Sequence, residues 1–249
     1  MKALLTSFLL VIGLGGEAMA QEPAELFVDA NQAYEQGDYS QAIAGYEQLL
    51  TQGTAGSGVH YNLGNAYLRN GELGRAIAQL RRSRNLSPRD GDIRANLAFA
   101  RQTTRDANAP PEPSPVLSTL LFWHYGLSRA ELAATLVVVN ILFWGVAAVR
   151  LYRRDSEVLR WVSIGLLVLL VAVAGSVAAH RWIDRPVAVI VPQEIDTFAA
   201  PDSDSVVRFK LHAGTEVPIK DAREGWWRIA LPDGQQAWIE RQWTEVVDR

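Results

Sequence analysis

Two apolar runs, Leu132 to Val149 and Trp161 to Ala179, constrain this chain more than anything else in it. The first is interrupted only by Thr135 and Asn140, and the second carries no charge. About twenty apolar residues suffice to cross a hydrocarbon layer of roughly 30 Å, so both are predicted to span a membrane. The loop between them, Arg150 to Arg160, holds four arginines in eleven residues. The outer flanks carry Arg129 on one side and Arg181 and Arg185 on the other. The positive-inside bias puts that loop in the cytoplasm and both larger flanking segments outside it. Asn140, in mid-span, is expected to hydrogen-bond to the partner span or to a second chain rather than to line a transport path.

The first residues point the same way. Lys2, an apolar run from Ala3 to Leu14 and the pattern Ala18-Met19-Ala20 have the layout of a secretory signal over 1–20. An uncleaved anchor is the alternative, and both place Gln21 and its successors outside the cytoplasm. Residues 107–116 form a linker that is extended where Ala109 to Pro115 holds four prolines in seven residues. The membrane region then runs over 117–183, and Trp123, His124 and Tyr125 suit the headgroup level. The chain has no cysteine, which removes disulfides, thiolate metal sites and a cysteine nucleophile. Its 24 basic and 27 acidic side chains give no basic excess for nucleic acid.

Residues 24–106 are polar and patterned for helices. Gly37, Ala42, Ile43 and Tyr46 recur thirty-four positions later as Gly71, Ala76, Ile77 and Leu80. That period is the length of a tetratricopeptide (TPR) repeat. Leu63, Gly64 and Tyr67 fall in the first helix of the second unit, Ala76 and Leu80 in its second, and Pro88 at its end. Gly64 and Ala76 are small where two helices should cross closely. A lone helix is predicted from Asp92 to Arg105, with Ile93, Leu97 and Ala100 on one face. Two repeats and one closing helix make a short array, because each repeat buries its apolar face only on its neighbours. The array is therefore expected to lean on a partner, a second copy, or its own membrane-proximal segment.

Residues 186–249 change pattern again. Five alternating runs, Val187–Val191, Val206–Leu211, Glu216–Lys220, Trp226–Leu231 and Ala237–Ile239, are separated by turn clusters such as Pro232-Asp233-Gly234. Five short strands in about sixty residues predict a small β-barrel. The fold expected is thus multidomain: an all-α TPR helical repeat, a two-helix transmembrane hairpin and a small all-β SH3-like barrel.

The name SH3-like rests on resemblance. Ala200-Pro201, Leu211-His212-Ala213-Gly214-Thr215-Glu216-Val217, Gly225-Trp226-Trp227-Arg228-Ile229 and Asp233-Gly234 before Ala237-Trp238-Ile239 resemble bacterial SH3-type domains. That family usually has glycine where Ala237 stands. Its members bind peptides or cell-wall material, which implies peptidoglycan as a ligand of this piece. The order of all the pieces, with Tyr61-Asn62-Leu63-Gly64-Asn65-Ala66-Tyr67 and Leu86-Ser87-Pro88 as the strongest local match, is similar to the BatE-like TPR/SH3-domain proteins of the bacterial aerotolerance (Bat) operon. The resemblance implies partners among membrane proteins with von Willebrand A domains and a MoxR-type ATPase system. It implies no defined reaction.

No catalytic constellation stands out. His60, His124, His180 and His212 are scattered over three pieces, and Asp202 and Asp204 read as solvated turn residues rather than a calcium loop. No enzyme activity, cofactor or metal is expected. A concave TPR groove should be lined by Asn31, Tyr61, Asn62, Asn65, Arg69 and Asn96. Asn31 and Asn62 fall where carboxylate-clamp TPRs place asparagines, but Phe27, Asp92 and Asn96 stand at the clamp's basic positions. This argues against capture of a C-terminal carboxylate and leaves a groove for an extended or helical peptide. The competing reading has Asn62 and Asn65 satisfying local backbone and simply fitting the repeat. The function expected is an inner-membrane scaffold with its N- and C-terminal domains in the periplasm, open also to self-association. A cell-wall-binding or sensing module acting through the SH3-like domain is the alternative.

Overall fold

The computed structural model describes residues 22–106, 114–182 and 185–247. The signal-peptide reading of 1–20 and most of the proline linker lie outside these residues. Five helices come first: α1 (Pro23–Glu35), α2 (Tyr39–Thr51), α3 (Ser57–Arg69), α4 (Leu73–Leu86) and α5 (Gly91–Gln102). α1, α3 and α5 begin thirty-four residues apart. The turns between paired helices repeat as well. Gly37 and Gly71 take φ of 83° and 82°, which a side chain would resist. One residue on, Asp38 N–H bonds to Ala33 O and Glu72 N–H to Tyr67 O, each at 2.9 Å. Asp38 and Asp90 cap α2 and α5 by accepting from the first-turn amides. α4 ends at Leu86, two residues before Pro88, and α5 ends three residues short of the predicted Arg105.

Side-chain size sets the helix crossings. A β-carbon on Gly64 would lie 2.8 Å from Leu80 Cγ, so α3 and α4 cross where the sequence placed its small residues. Leu26, Ala30, Ala42, Tyr46, Leu49, Leu63, Ala66 and Tyr67 fill the core between α1 and α4.

The C-terminal segment forms a seven-stranded antiparallel sheet, not five strands. Its members are β1 (Val187–Ile190), β2 (Glu194–Phe198), β3 (Val207–His212), β4 (Glu216–Arg223), β5 (Trp226–Ala230), β6 (Gln236–Glu240) and β7 (Thr244–Val247), in the order β3-β2-β6-β5-β4-β1-β7. β2 and β7 are the additions. β2 turns Ile195 and Thr197 inward, and Thr197 satisfies its hydroxyl on Phe209 O at 2.8 Å, so a polar residue serves as an inward position. β7 is only four residues long. β4 continues to Arg223, past the predicted end at Lys220, because a bulge near Lys220 keeps it paired with β5.

What the array leans on is this sheet. Ile77, Ala78, Leu80, Leu97 and Ala100 of α4 and α5 share one core with Val189 of β1 and Val247 of β7. Two glycines allow the contact. A β-carbon on Gly74, at the start of α4, would lie 2.2 Å from Ile190 O. Gly214, at φ 84°, would meet Thr104, Ile77 and Leu73. The expected supports did not include this domain; a membrane-proximal tie does exist, from Arg89 to Glu131.

In chain order, the repeat helices and the sheet are separated by α6 (Pro115–Leu120), α7 (Phe122–Gly126), α8 (Arg129–Tyr152) and α9 (Glu157–Trp182). α8 and α9 pack as a hairpin, and both are long and apolar enough to cross a membrane. Ser128 and Glu131 form a reciprocal capping box at the start of α8. Trp123 Nε1 donates to Ser176 Oγ at 3.1 Å, and His124 stacks on His180 at 4.3 Å, so α7 is held to the end of α9.

Candidate functional site

The groove side of the repeat helices carries a ladder of side-chain amides. Asn62 Nδ2 donates to Asn31 Oδ1 at 2.9 Å, joining α3 to α1. Thirty-four residues later Asn96 Nδ2 donates to Asn65 Oδ1 at the same distance, joining α5 to α3. Each rung is completed by a phenol from a different place. Tyr46 donates its hydroxyl to Asn31 Oδ1 at 2.6 Å, and Tyr61 Oη accepts from Asn96 Nδ2 at 3.0 Å. The two rungs differ because the repeat is imperfect: Leu80 replaces Tyr46 and Phe27 replaces Tyr61. Burial pushes the Tyr46 phenol up to about 12, which keeps it a donor at any physiological pH.

Five of the six residues named from the sequence, Asn31, Tyr61, Asn62, Asn65 and Asn96, are therefore brought together, each half-buried. The four asparagine amides bond to side chains of neighbouring helices rather than to local backbone, which ties them into the repeat itself. Arg69, at the last position of α3, is exposed and stands outside both rungs.

Two further groove residues were missed. Phe99 holds the next place in the series Asn31, Asn65, and Val28 the place before Asn62 and Asn96. Phe99 is 60% exposed and Val28 51%. The amide ladder thus ends in an apolar side chain on each side. Continuing the thirty-four-residue count one step would have found both.

On the opposite side, the contact between helices and sheet adds charge to its apolar core. Glu216 of β4 lies between two arginines: Arg81 Nη1 donates to its Oε2, while Arg101 donates from Nε at 2.7 Å and from Nη2 at 3.0 Å. Burial pushes this carboxyl up, but the Arg101 hydrogen bonds and both guanidinium charges outweigh it and hold the group below the usual range. Asp106 accepts from His212 N–H at 2.8 Å, His212 Nδ1 at 2.9 Å and Thr215 Oγ1 at 2.6 Å. Burial raises its pKa, and these bonds overcome it and lower the carboxyl. Arg82 reaches Glu245 at 2.6 Å and Val246 O at 3.1 Å.

Within the sheet, arginines lie over two tryptophan rings. The Arg241 guanidinium lies 4.0 Å over the Trp227 ring, and Arg223 lies 5.1 Å over Trp238. Asp202 accepts from Asp204 N–H at 3.0 Å as an ordinary turn residue.

Residues 33–101 match the tetratricopeptide repeat family. The match takes in the end of α1, all of α2 to α4 and nearly all of α5, hence both rungs except Asn31. TPR regions are interaction modules rather than catalytic ones. The chain has no match among the curated proteins.

Proposed function

We propose that this protein is a membrane-anchored scaffold that holds protein partners in its TPR groove. The observation that carries this reading is the division of the array's two sides. The sheet covers the end formed by α4 and α5, while the amide ladder, Phe99 and Arg69 stay open to a ligand. A short array that already has its structural support inside the chain does not need its groove for stability, which leaves the groove for binding.

The α8–α9 hairpin supplies the anchor, and the arginine-rich loop between its helices favours a cytoplasmic position for that loop. Both domains then face the periplasm of a bacterial inner membrane, consistent with the signal-like first residues. In the Bat-type setting that the order of pieces suggests, the partners are membrane proteins with von Willebrand A domains. The test is recovery of co-purifying membrane proteins from mild detergent extracts, repeated with Arg69→Glu and Phe99→Ala. Partners lost in both variants support the reading; recovery of the chain alone, with and without cross-linking, removes it.

A second reading follows from Arg223 and Trp238. The buried Trp238 ring positions the exposed Arg223 guanidinium, and that cation suits the carboxylates of cell-wall polymer, so the SH3-like domain becomes the effective part. Co-sedimentation of the detergent-solubilised chain with peptidoglycan, abolished by Arg223→Ala, would favour it over the scaffold.

A further inference from the structure

We infer that α8 pairs with α8 of a second copy of this chain through Asn140; this rests on the membrane reading of the hairpin. Asn140 is near the midpoint of a helix of 24 residues, where the surroundings offer no water. It does not face α9. The buried contact residues of α8 are Leu132 and Val139, and the one-residue step from Val139 turns Asn140 about 100° around the axis. Its side chain is exposed, and among the described residues nothing hydrogen-bonds to it.

α9 has no polar side chain to offer it. Ser163 and Ser176 each lie roughly 10 Å along the axis from the middle of that helix. Ser163 donates to Leu159 O at 2.7 Å, and Ser176 accepts from Trp123. A primary amide in hydrocarbon needs a partner. An asparagine amide both donates and accepts, so the same residue on a two-fold-related copy satisfies it, and a symmetric contact brings like to like. The stripe around it fits close approach: Ala133 and Val137 precede Asn140 at helical spacing, and Trp144 follows one turn on, 64% exposed. An indole at that depth, well away from the headgroup level that tryptophan favours, is a second polar handle on the same line.

The absence of cysteine makes the test direct. Single cysteines are placed in the full chain at Ala133 and Val137 on the stripe, and at Val138 and Leu142 off it. The cells' membranes are then oxidised. Disulfide-linked product at twice the chain mass should form several-fold more from the stripe pair than from the off-stripe pair. Asn140→Leu added to Val137→Cys should weaken association roughly five- to thirty-fold, and Asn140→Gln should keep most of it. Equal yields at all four positions, adducts of a different mass, or an unaffected Asn140→Leu variant would overturn the inference. Alkaline carbonate extraction separates the two layers of the argument. A chain found in the soluble fraction sinks the membrane reading with it, whereas an integral chain that never cross-links sinks only the pairing.

Discussion

Glu216 closes on Arg81 across 135 positions of sequence, and solvent reaches almost none of either side chain. With Arg101 donating to both of its oxygens, this carboxylate is the shared partner of two guanidinium groups. Removing one member of a buried ion pair costs about 3–5 kcal/mol, because the remaining charge stays desolvated. Glu216→Gln should therefore separate sheet from helices before either unfolds. Hydrogen exchange should show faster amides in β1 and α4 while α1 and α2 keep their protection.

Acid should have a graded version of the same effect. Asp106 and Glu216 both have carboxyls below their ordinary values in the folded protein. The unfolded chain then binds more protons as pH drops past about 4, so the stabilisation is complete above that value and is lost as pH falls through the lowered ones. Thermal unfolding in detergent from pH 7 to pH 2.5 should show a plateau followed by a falling Tm. Glu216→Gln should flatten part of the fall, and a slope unchanged in that variant would count against this assignment.

The amide ladder gives a pairwise prediction. Asn96→Ala leaves Asn65 Oδ1 without its donor and removes the bond to Tyr61, at a cost of about 1–2 kcal/mol. Asn65→Ala should cost less, since Asn96 keeps Tyr61. A double-mutant cycle should give a coupling of about 1 kcal/mol, measured from denaturant midpoints.

Gly74 tests the close approach without touching charge. Alanine normally favours a helix over glycine, by about 1 kcal/mol. Here its β-carbon would strike the backbone of Ile190, so Gly74→Ala should destabilise the protein. Gly58→Ala, with nothing within 4 Å of the added carbon, should be neutral or slightly stabilising.

The parts legible in the sequence were those whose cause is local. The thirty-four-residue period, the small residues at the crossing of α3 and α4 and the long apolar helices all follow from neighbours in the chain. The groove asparagines were found by position, but their mutual bonding needed the helices side by side. The seal between array and sheet was invisible because each of its hydrogen bonds and ion pairs joins residues more than a hundred positions apart. Gly74 reads as an indifferent helix residue, and Glu216 as one more strand charge, until the other layer is present. β2 escaped because Thr197 and its hydrogen bond stand where an apolar residue would have marked the strand.

The shared core also sets an order of events during synthesis. Ile77, Leu97, Arg81 and Arg101 are made long before Val189, Glu216 and Val247 exist to cover them. At about 5–20 residues per second, the delay between Arg81 and Glu216 is on the order of ten seconds, during which both long apolar helices are also made. The nascent head therefore waits, sticky and charged, for the last segment to arrive. A chain that stops before Glu216 cannot complete it.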